Sequence, residues 1–206
     1  MRERPILFSG PMVRAILEGR KTQTRRVGRA QNSAATELAV EDCVATYRAF
    51  PGAGSARWGL CSCPYGVPGD RLWVRETWEH EDGGCDDHKC GQPTHIYYRA
   101  TECYPESMHW RPSIFMPRWA SRLTLEVVSV RVERLQEISV GDIRAEGFEE
   151  PPLTPGVHFC IDGELWPAGE RKIREAFGSG WDTINCKRAP WASNPWVWVV
   201  EFKVAA

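Results

Sequence analysis

The sequence contains no long apolar segment. No stretch approaches the roughly 18 uninterrupted apolar residues of a membrane helix. Residues 1–10 hold only a short apolar run, without the hydrophobic region of a secretory signal peptide. We therefore expect a cytoplasmic protein that has no membrane partner.

The chain also lacks an excess of positive charge. It has 26 basic and 27 acidic residues, so its net charge is −1, whereas a protein that binds nucleic acid over its whole surface is usually basic. Any contact with a polyanion should then be local. This charge favours a nucleoside or a short RNA segment as the partner and disfavours long duplex DNA.

Lysine is scarce, with five lysines beside 21 arginines. Codon bias explains such a ratio without reference to function. Arg keeps its proton in proteins, however, whereas the Lys amine can release its proton when it is desolvated. A Lys within a functional site of this chain therefore indicates a specific need for an amine.

The eight cysteines do not fit a disulfide framework, because cytoplasmic proteins keep their thiols reduced. Reduced free thiols are one interpretation, and a structural zinc site is the other. Four cysteines form two close pairs in loops beside a predicted strand, as the ligands of a tetrahedral zinc site do: Cys61, Cys63, Cys85 and Cys90. His88 can replace one of these thiols.

Composition and patterning predict an α+β fold, namely a small, mostly antiparallel β-barrel with short peripheral helices. With 42% hydrophobic and 11% aromatic residues, the chain can bury a sizeable core. Short alternating segments with frequent turns are typical of small barrels. We predict one domain over residues 1–206, with loop insertions at 28–58, 79–94 and 149–168.

Three short helices are predicted from their end signals, at residues 11–18, 139–146 and 170–177. Pro11 suits a first helical position and Gly19 a stop. Ser139 is an N-cap with Asp142 three residues later. Gly178 marks the end of the third helix.

Strands are predicted by alternation at residues 71–78, 95–100, 121–135 and 196–204. The apolar phase of the third strand shifts at Val127 and Val128, which predicts a β-bulge. In the last strand one apolar face is expected, formed by Trp196, Trp198, Val200, Phe202 and Val204.

The strongest candidate site follows the first helix. Lys21 and Thr24 are three residues apart, so a helical turn or a tight loop places them on one side, and the arginines of the same segment can bind phosphate: Arg20, Arg25 and Arg26. A solvated basic loop is the alternative. Glu146, at a predicted helix end, is the candidate acid, with a solvated surface residue as its alternative.

A second candidate lies in the aromatic strand at residues 71–78. Charges inside such a strand must be paired or face a cavity, and neighbouring side chains point to opposite faces. We expect Glu76 to face a substrate cleft and Arg75 the barrel rim; a structural ion pair is the alternative. Trp78 is predicted to stack on a base or else to belong to the core.

The segment after the first helix resembles ASCH domains of the PUA-like superfamily. Their pattern Gly-x-Lys-x-x-Glu-x-Arg matches Gly19, Lys21 and Arg26, with Thr24 in place of the acid. Lys and Thr at this spacing are similar to the bacterial ASCH amidohydrolases that hydrolyse N(4)-acetylcytidine. Those enzymes add a Glu after a barrel strand, and the segment 138–146 has the same length. The resemblance implies that Lys21, Thr24 and Glu146 are catalytic.

A wider resemblance, over about two-thirds of the chain, is to phage-associated ASCH proteins. It covers residues 63–66, 69–78, 112–119 and 181–196. It implies a PUA-like barrel, whereas the resemblance to the amidohydrolases implies a hydrolase that needs no cofactor and acts on an acylated cytosine nucleoside. The alternatives are a non-catalytic module that binds RNA or a modified nucleotide, and a ribonuclease of the ASCH type.

Overall fold

The structure is a computed structural model that describes residues 1–28, 35–41, 44–49, 57–81, 95–102, 108–148, 158–161 and 164–205. Of these, only the backbone is described for residues 35–41, 44–49, 57–61, 81, 158–161 and 164–168. The strands are β1 Glu3–Leu7, β2 Gln23–Val27, β3 Ala35–Glu41, β4 Val44–Ala49, β5 Arg57–Ser62, β6 Arg71–Arg75, β7 Trp78–Glu81, β8 His95–Tyr98, β9 Thr124–Arg134, β10 His158–Ile161, β11 Glu164–Pro167 and β12 Trp196–Val204. The α-helices are α1 Gly10–Leu17, α2 Val140–Ala145 and α3 Ala168–Asn185.

A five-stranded sheet in the order β1-β6-β9-β12-β2 organises the described chain. The pair of β1 and β6 is parallel, and the other three pairs of this sheet are antiparallel. Three smaller antiparallel sheets accompany it, formed by β3-β4-β5, by β7-β8 and by β10-β11. The fold is thus α+β with mostly antiparallel strands, as the sequence predicted.

Strand β12 lies between two apolar clusters. Trp198, Val200 and Phe202 belong to one cluster, together with Ile6, Leu72 and other residues of β1, β6 and α1. The opposite face of β12 belongs to a second cluster with α2 and α3. Since successive side chains of a strand point to opposite faces, a strand with both faces buried is the centre of the fold. The prediction of a single apolar face was therefore incomplete.

The sequence located helices α1 and α2 correctly from the residues at their ends, and it located the β-bulge in β9 from the shift in apolar phase. Helix α1 spans Gly10–Leu17, and Ser139 caps α2 by accepting a hydrogen bond from the backbone N–H of Asp142 at 3.0 Å. The pairing of β9 with β12 shifts register between Glu201 and Phe202. This shift leaves Val128 as the extra residue, which confirms the predicted bulge.

Two predicted ends were wrong. Strand β6 stops at Arg75, and Trp78 begins β7 in a different sheet. Helix α3 continues past Gly178 to Asn185, because this glycine is a point of close packing: a Cβ there would lie 3.0 Å from Cδ2 of Trp191. Glycine within a helix costs about 1 kcal/mol relative to Ala, which the packing of the Trp191 ring offsets.

Two of the segments predicted as insertions contain regular structure. Strands β3 and β4 and the first residues of β5 fall within 28–58, and β10 and β11 form a hairpin within 149–168. Strand β7 occupies the start of the segment 79–94, whose remainder lies outside the described residues. Among the described helices, none is both long and apolar enough to span a membrane.

Candidate functional site

The chain segments that follow α1 and α2 meet side by side. Gly19, with φ +74°, turns the backbone after α1, and the N–H groups of Arg20 and Lys21 donate to the carbonyl of Ala15 at 2.9 Å. Lys21 and Glu146 then form an antiparallel bridge. The two residues are thus brought together from positions 125 residues apart.

The amine of Lys21 is enclosed by acceptors. Its side chain is 1% exposed, and Nζ donates to the carbonyl of Gln23 at 2.7 Å, to the carbonyl of Glu146 at 2.8 Å and to Oε2 of Glu146 at 2.9 Å. Burial lowers the pKa of Lys21 below its ordinary value, although the Glu146 carboxylate opposes this shift; Arg26 and Arg25 reinforce it. The amine is therefore more easily deprotonated than that of a surface lysine.

Gly147 allows the close approach of these segments. Its φ is +75°, and a Cβ at this position would lie 2.8 Å from Cβ of Lys21 and 2.9 Å from Cβ of Ala15. Real Cβ atoms do not approach so closely, so a larger residue here must displace Lys21.

Gly147→Ala should therefore destabilise the protein by roughly 2–4 kcal/mol, as the sum of a left-handed backbone and overpacking. The matched control is Gly19→Ala, because Gly19 has the same φ of +74° but no atom within 4 Å of its Cβ position. Its cost should be about 1 kcal/mol, the backbone contribution alone. Urea denaturation of both variants measures the difference, and equal losses would contradict the steric argument.

The second carboxylate oxygen of Glu146 is bound by Arg25. Oε1 accepts from NH1 of Arg25 at 3.4 Å. NH2 of Arg25 contacts Oε2 of Glu133 at 2.8 Å and Oδ2 of Asp142 at 3.3 Å. Although burial tends to raise the pKa of Asp142, the Ser139 hydrogen bond and the Arg25 charge hold that pKa below its ordinary value.

Arg131 extends this network towards the surface. Its guanidinium pairs with the carboxylates of Glu133, Asp142 and Glu201 and donates to Oε1 of Gln23 at 3.1 Å. The resulting network contains three cations and four carboxylates: Lys21, Arg25, Arg131, Glu133, Asp142, Glu146 and Glu201. Opposite charges alternate along it, so its buried members are compensated.

Thr24 lies on the other face of β2 from Arg25. It pairs with Val200 and shares its face with Arg26. The Phe8 ring lies close to the cations of Lys21 and Arg26. Its centroid is 5.5 Å from Nζ of Lys21 and 5.2 Å from Cζ of Arg26. Thr24 is buried, with 4% of its surface exposed. A buried hydroxyl of this kind can accept or donate a proton in contact with a ligand.

The remaining predicted arginines occupy different surroundings. Arg20 is exposed and pairs with Glu18. Arg26 donates to the carbonyl of Leu7 at 2.5 Å. Arg75 pairs with Leu7 in the sheet and lays its guanidinium over the Trp73 ring, 4.7 Å from the centroid. Arg26 and Arg75 therefore lie on either side of Leu7.

Glu76 forms a two-point ion pair. Its side chain is 1% exposed, and its two oxygens accept from Nε and NH2 of Arg122, both at 2.9 Å. The Arg122 guanidinium also covers the Tyr98 ring at 4.0 Å. Glu76 is therefore held in an ion pair with Arg122, whereas the structural ion pair considered from the sequence was that of Arg75.

Glu76→Gln should consequently lower the free energy of unfolding by about 2 kcal/mol, because one charge-assisted contact is lost in a buried setting. Affinity for a cytosine nucleoside should change little. Thermal melts and calorimetric titrations of the variant against wild type measure both quantities. A large loss of affinity at an unchanged melting temperature would contradict the structural role and indicate that Glu76 contacts the ligand.

Trp78 is 2% exposed and packs with Met116 and Ala120. Its ring meets that of Trp119 edge-on at 5.6 Å, and the Arg111 guanidinium lies 5.4 Å from its centroid. Trp119 itself is 55% exposed. Trp78 is thus part of a core cluster, and Trp119 presents the accessible ring.

Of the four candidate zinc ligands, the structure describes one side chain. Cys63 is buried within the apolar cluster that contains Leu72 and Val74. The side chains of Cys61, Cys85 and Cys90, and that of His88, lie outside the described residues. Among the described side chains, no group of three or more His, Cys, Asp or Glu residues is arranged so that it could hold a metal ion.

Sequence reasoning missed Phe8, Arg131, Glu133 and Asp142 as members of the site. One signal for two of them was present: Arg131 and Glu133 alternate on one face of a strand whose neighbours are apolar. Charges in that position require partners.

Comparisons of the chain with protein-family models, curated proteins and solved structures found no match.

Proposed function

We propose that this chain is a PUA-like barrel protein of the ASCH type that hydrolyses an acylated cytosine nucleoside such as N(4)-acetylcytidine. One observation carries the proposal: the desolvated Lys21 amine, held by Glu146, lies near the Phe8 ring, which Arg26 also covers from the strand face that carries the buried Thr24. These groups supply the acid–base and nucleophilic functions that amide hydrolysis needs.

A barrel is supported by contacts between the two edges of the main sheet. Strands β1 and β2 are its edges, and Arg26 of β2 donates to the carbonyl of Leu7 in β1. The Phe8 ring, just after β1, contacts the Phe202 ring of β12 at 6.1 Å between centroids. A mostly antiparallel sheet that curls until its edges meet has the geometry of a small barrel.

In the proposed reaction, water adds to the acyl carbon and the bond between that carbon and the exocyclic nitrogen of cytosine breaks. The oxygen stays with the acyl group as a carboxylate, and the nitrogen leaves as an amine with one additional proton. An oxyanion develops on the carbonyl oxygen in between. The site must therefore accept a proton from the nucleophile and return one to the nitrogen.

Lys21 is the proposed proton acceptor, because burial favours its neutral form. Thr24 either orients the attacking water or attacks the acyl carbon itself. In the second case the bond to the cytosine nitrogen breaks first, and water then hydrolyses the acyl ester of Thr24 to the carboxylate and restores the hydroxyl. Glu146 fixes the amine through Oε2 and directs the returned proton. In its charged form, Lys21 stabilises the oxyanion.

Two arginines beside the site are the proposed contacts for the ribose. Arg26 and Arg75 both adjoin Leu7, and their guanidinium groups can donate to ribose hydroxyls or to a phosphate. Arg20, which is exposed, can reach a longer RNA substrate.

A binding module without chemistry is the second candidate. The observation that favours it is the saturation of the Lys21 amine by three acceptors of the protein itself. Such a lysine can hold two segments together without ever losing its proton.

Incubation of the purified protein with N(4)-acetylcytidine and with a short RNA that contains acetylcytidine distinguishes these functions. Release of cytidine and acetate, detected by chromatography, is the expected result. Intact substrate that nevertheless binds in a calorimetric titration would establish the binding module. Shortened RNA with the acetyl group retained would establish a ribonuclease.

A further inference from the structure

We propose that Arg25 is a positioning residue of this site: its guanidinium holds Oε1 of Glu146 together with the carboxylates of Glu133 and Asp142, so that Glu146 presents only Oε2 to the Lys21 amine. This role replaces the phosphate contact that the sequence suggested for Arg25. Its kinetic consequence rests on the proposed amidohydrolase function, whereas its structural consequence does not.

Burial and contacts support this role. The Arg25 side chain is 1% exposed and contacts three carboxylates, at 2.8 Å, 3.3 Å and 3.4 Å. Its strand face, opposite to that of Thr24 and Arg26, points to the second apolar cluster. Both terminal nitrogens of the guanidinium are bound to carboxylates of the protein, so Arg25 acts on a substrate through Glu146.

The charges around the Lys21 amine predict how removal of Arg25 would change the pKa of Lys21. The groups that face its amine are Glu146 at the end of α2 and Arg25 and Arg26 on β2, with the neutral Phe8 ring beside them. Without Arg25, Glu133 and Asp142 would keep Arg131 as a partner, whereas the Glu146 carboxylate would act on the Lys21 ammonium alone. The ammonium would then be stabilised, and the pKa of Lys21 would rise.

The first measurement follows Lys21 itself. The chain has five lysines, so protein labelled with ¹³C at the lysine ε-carbon gives few signals, and the signal lost in Lys21→Arg assigns Lys21. Its titration is compared in wild type, Arg25→Gln and Arg25→Lys. We expect the Lys21 titration to move to higher pH in Arg25→Gln and to a smaller extent in Arg25→Lys, which keeps the charge but not the planar fork.

Arg131→Gln is the matched control. It removes the same charge and the same type of contact with Glu133 and Asp142, but Arg131 does not contact Glu146. The Lys21 titration should move less in this variant than in Arg25→Gln. If Arg25→Gln does not fold, Arg25→Met, which removes the same charge, is compared with Arg131→Met instead, with the same expected order.

The second measurement is the pH profile of kcat for acetylcytidine. Because the neutral amine is the reactive form, the profile of Arg25→Gln should shift to higher pH, with a loss of about 10-fold near neutrality that is recovered in alkaline buffer. A purely structural role for Arg25 would lower the melting temperature and leave both titrations in place, and that result overturns the proposal. If wild type shows no turnover while the Lys21 titration shifts as expected, the amidohydrolase fails and the role of Arg25 stands.

Discussion

Lys21→Arg should reduce kcat/KM for acetylcytidine hydrolysis at least ~100-fold, the usual scale for the loss of one acid–base or oxyanion group. Arg conserves the positive charge but does not release a proton under these conditions. Nζ of Lys21 is a single point that reaches three acceptors within 2.9 Å. A planar guanidinium cannot reproduce that arrangement at a site where the side chain is 1% exposed.

The control for this substitution is Lys203→Arg. Lys203 is an exposed lysine that pairs with Glu126 at 3.1 Å, so the same exchange there should leave both turnover and the melting temperature unchanged. Thr24→Ala and Glu146→Gln should reduce turnover on the same scale as Lys21→Arg. Lys21→Arg with nearly wild-type turnover would contradict a mechanism that depends on the amine.

The pairing of Lys21 with Glu146 could be anticipated from sequence only through the family resemblance. The spacing of Lys21 and Thr24 is local and visible in the chain, but Glu146 is 125 residues away. What joins them is the backbone contact between the ends of α1 and α2, where the N–H of Thr22 donates to the carbonyl of Ala145 at 2.9 Å. A backbone contact of this kind does not depend on the pattern of apolar and polar residues, so the sequence alone does not reveal it.

Predictions from local signals succeeded where the cause was local. Ser139 and Asp142 cap α2 through atoms three residues apart, and Pro11 and Gly19 delimit α1 through their own backbone preferences. The bulge at Val128 could be inferred because an extra residue shifts the apolar phase of its own strand.

Where a distant partner decides the structure, the same reasoning failed. Alternation continued through Glu76, but the chain leaves β6 there, and the carboxylate meets Arg122. Gly178 looked like a helix stop, yet its missing side chain accommodates Trp191 from another part of the chain. The partners of Glu76 and Arg25 could not be anticipated for the same reason: a sequence shows a charge but not its partner.

Removal of residues 196–206 should abolish cooperative unfolding of the protein. Strand β12 pairs with both β9 and β2, and it supplies Trp198, Val200 and Phe202 to one core and Val197 and Val199 to the other. Its loss leaves two sheet edges unpaired and opens both cores to water. Each large side chain withdrawn from a core costs about 2–5 kcal/mol, so the loss of five costs about 10–25 kcal/mol, which is as large as the whole 5–15 kcal/mol by which an average domain is stable.

A chain that ends at Val204 is the matched truncation. It keeps the whole of β12 and loses only the hydrogen bond from Ala205 N–H to the carbonyl of Thr124, which contributes about 1 kcal/mol. Circular dichroism during heating should therefore show a single cooperative transition for this chain and none for the chain that ends at Pro195. If the shorter chain also melts cooperatively with native-like enthalpy, β12 is not the centre of the fold. The two cores would then have to be stable without the strand that joins them.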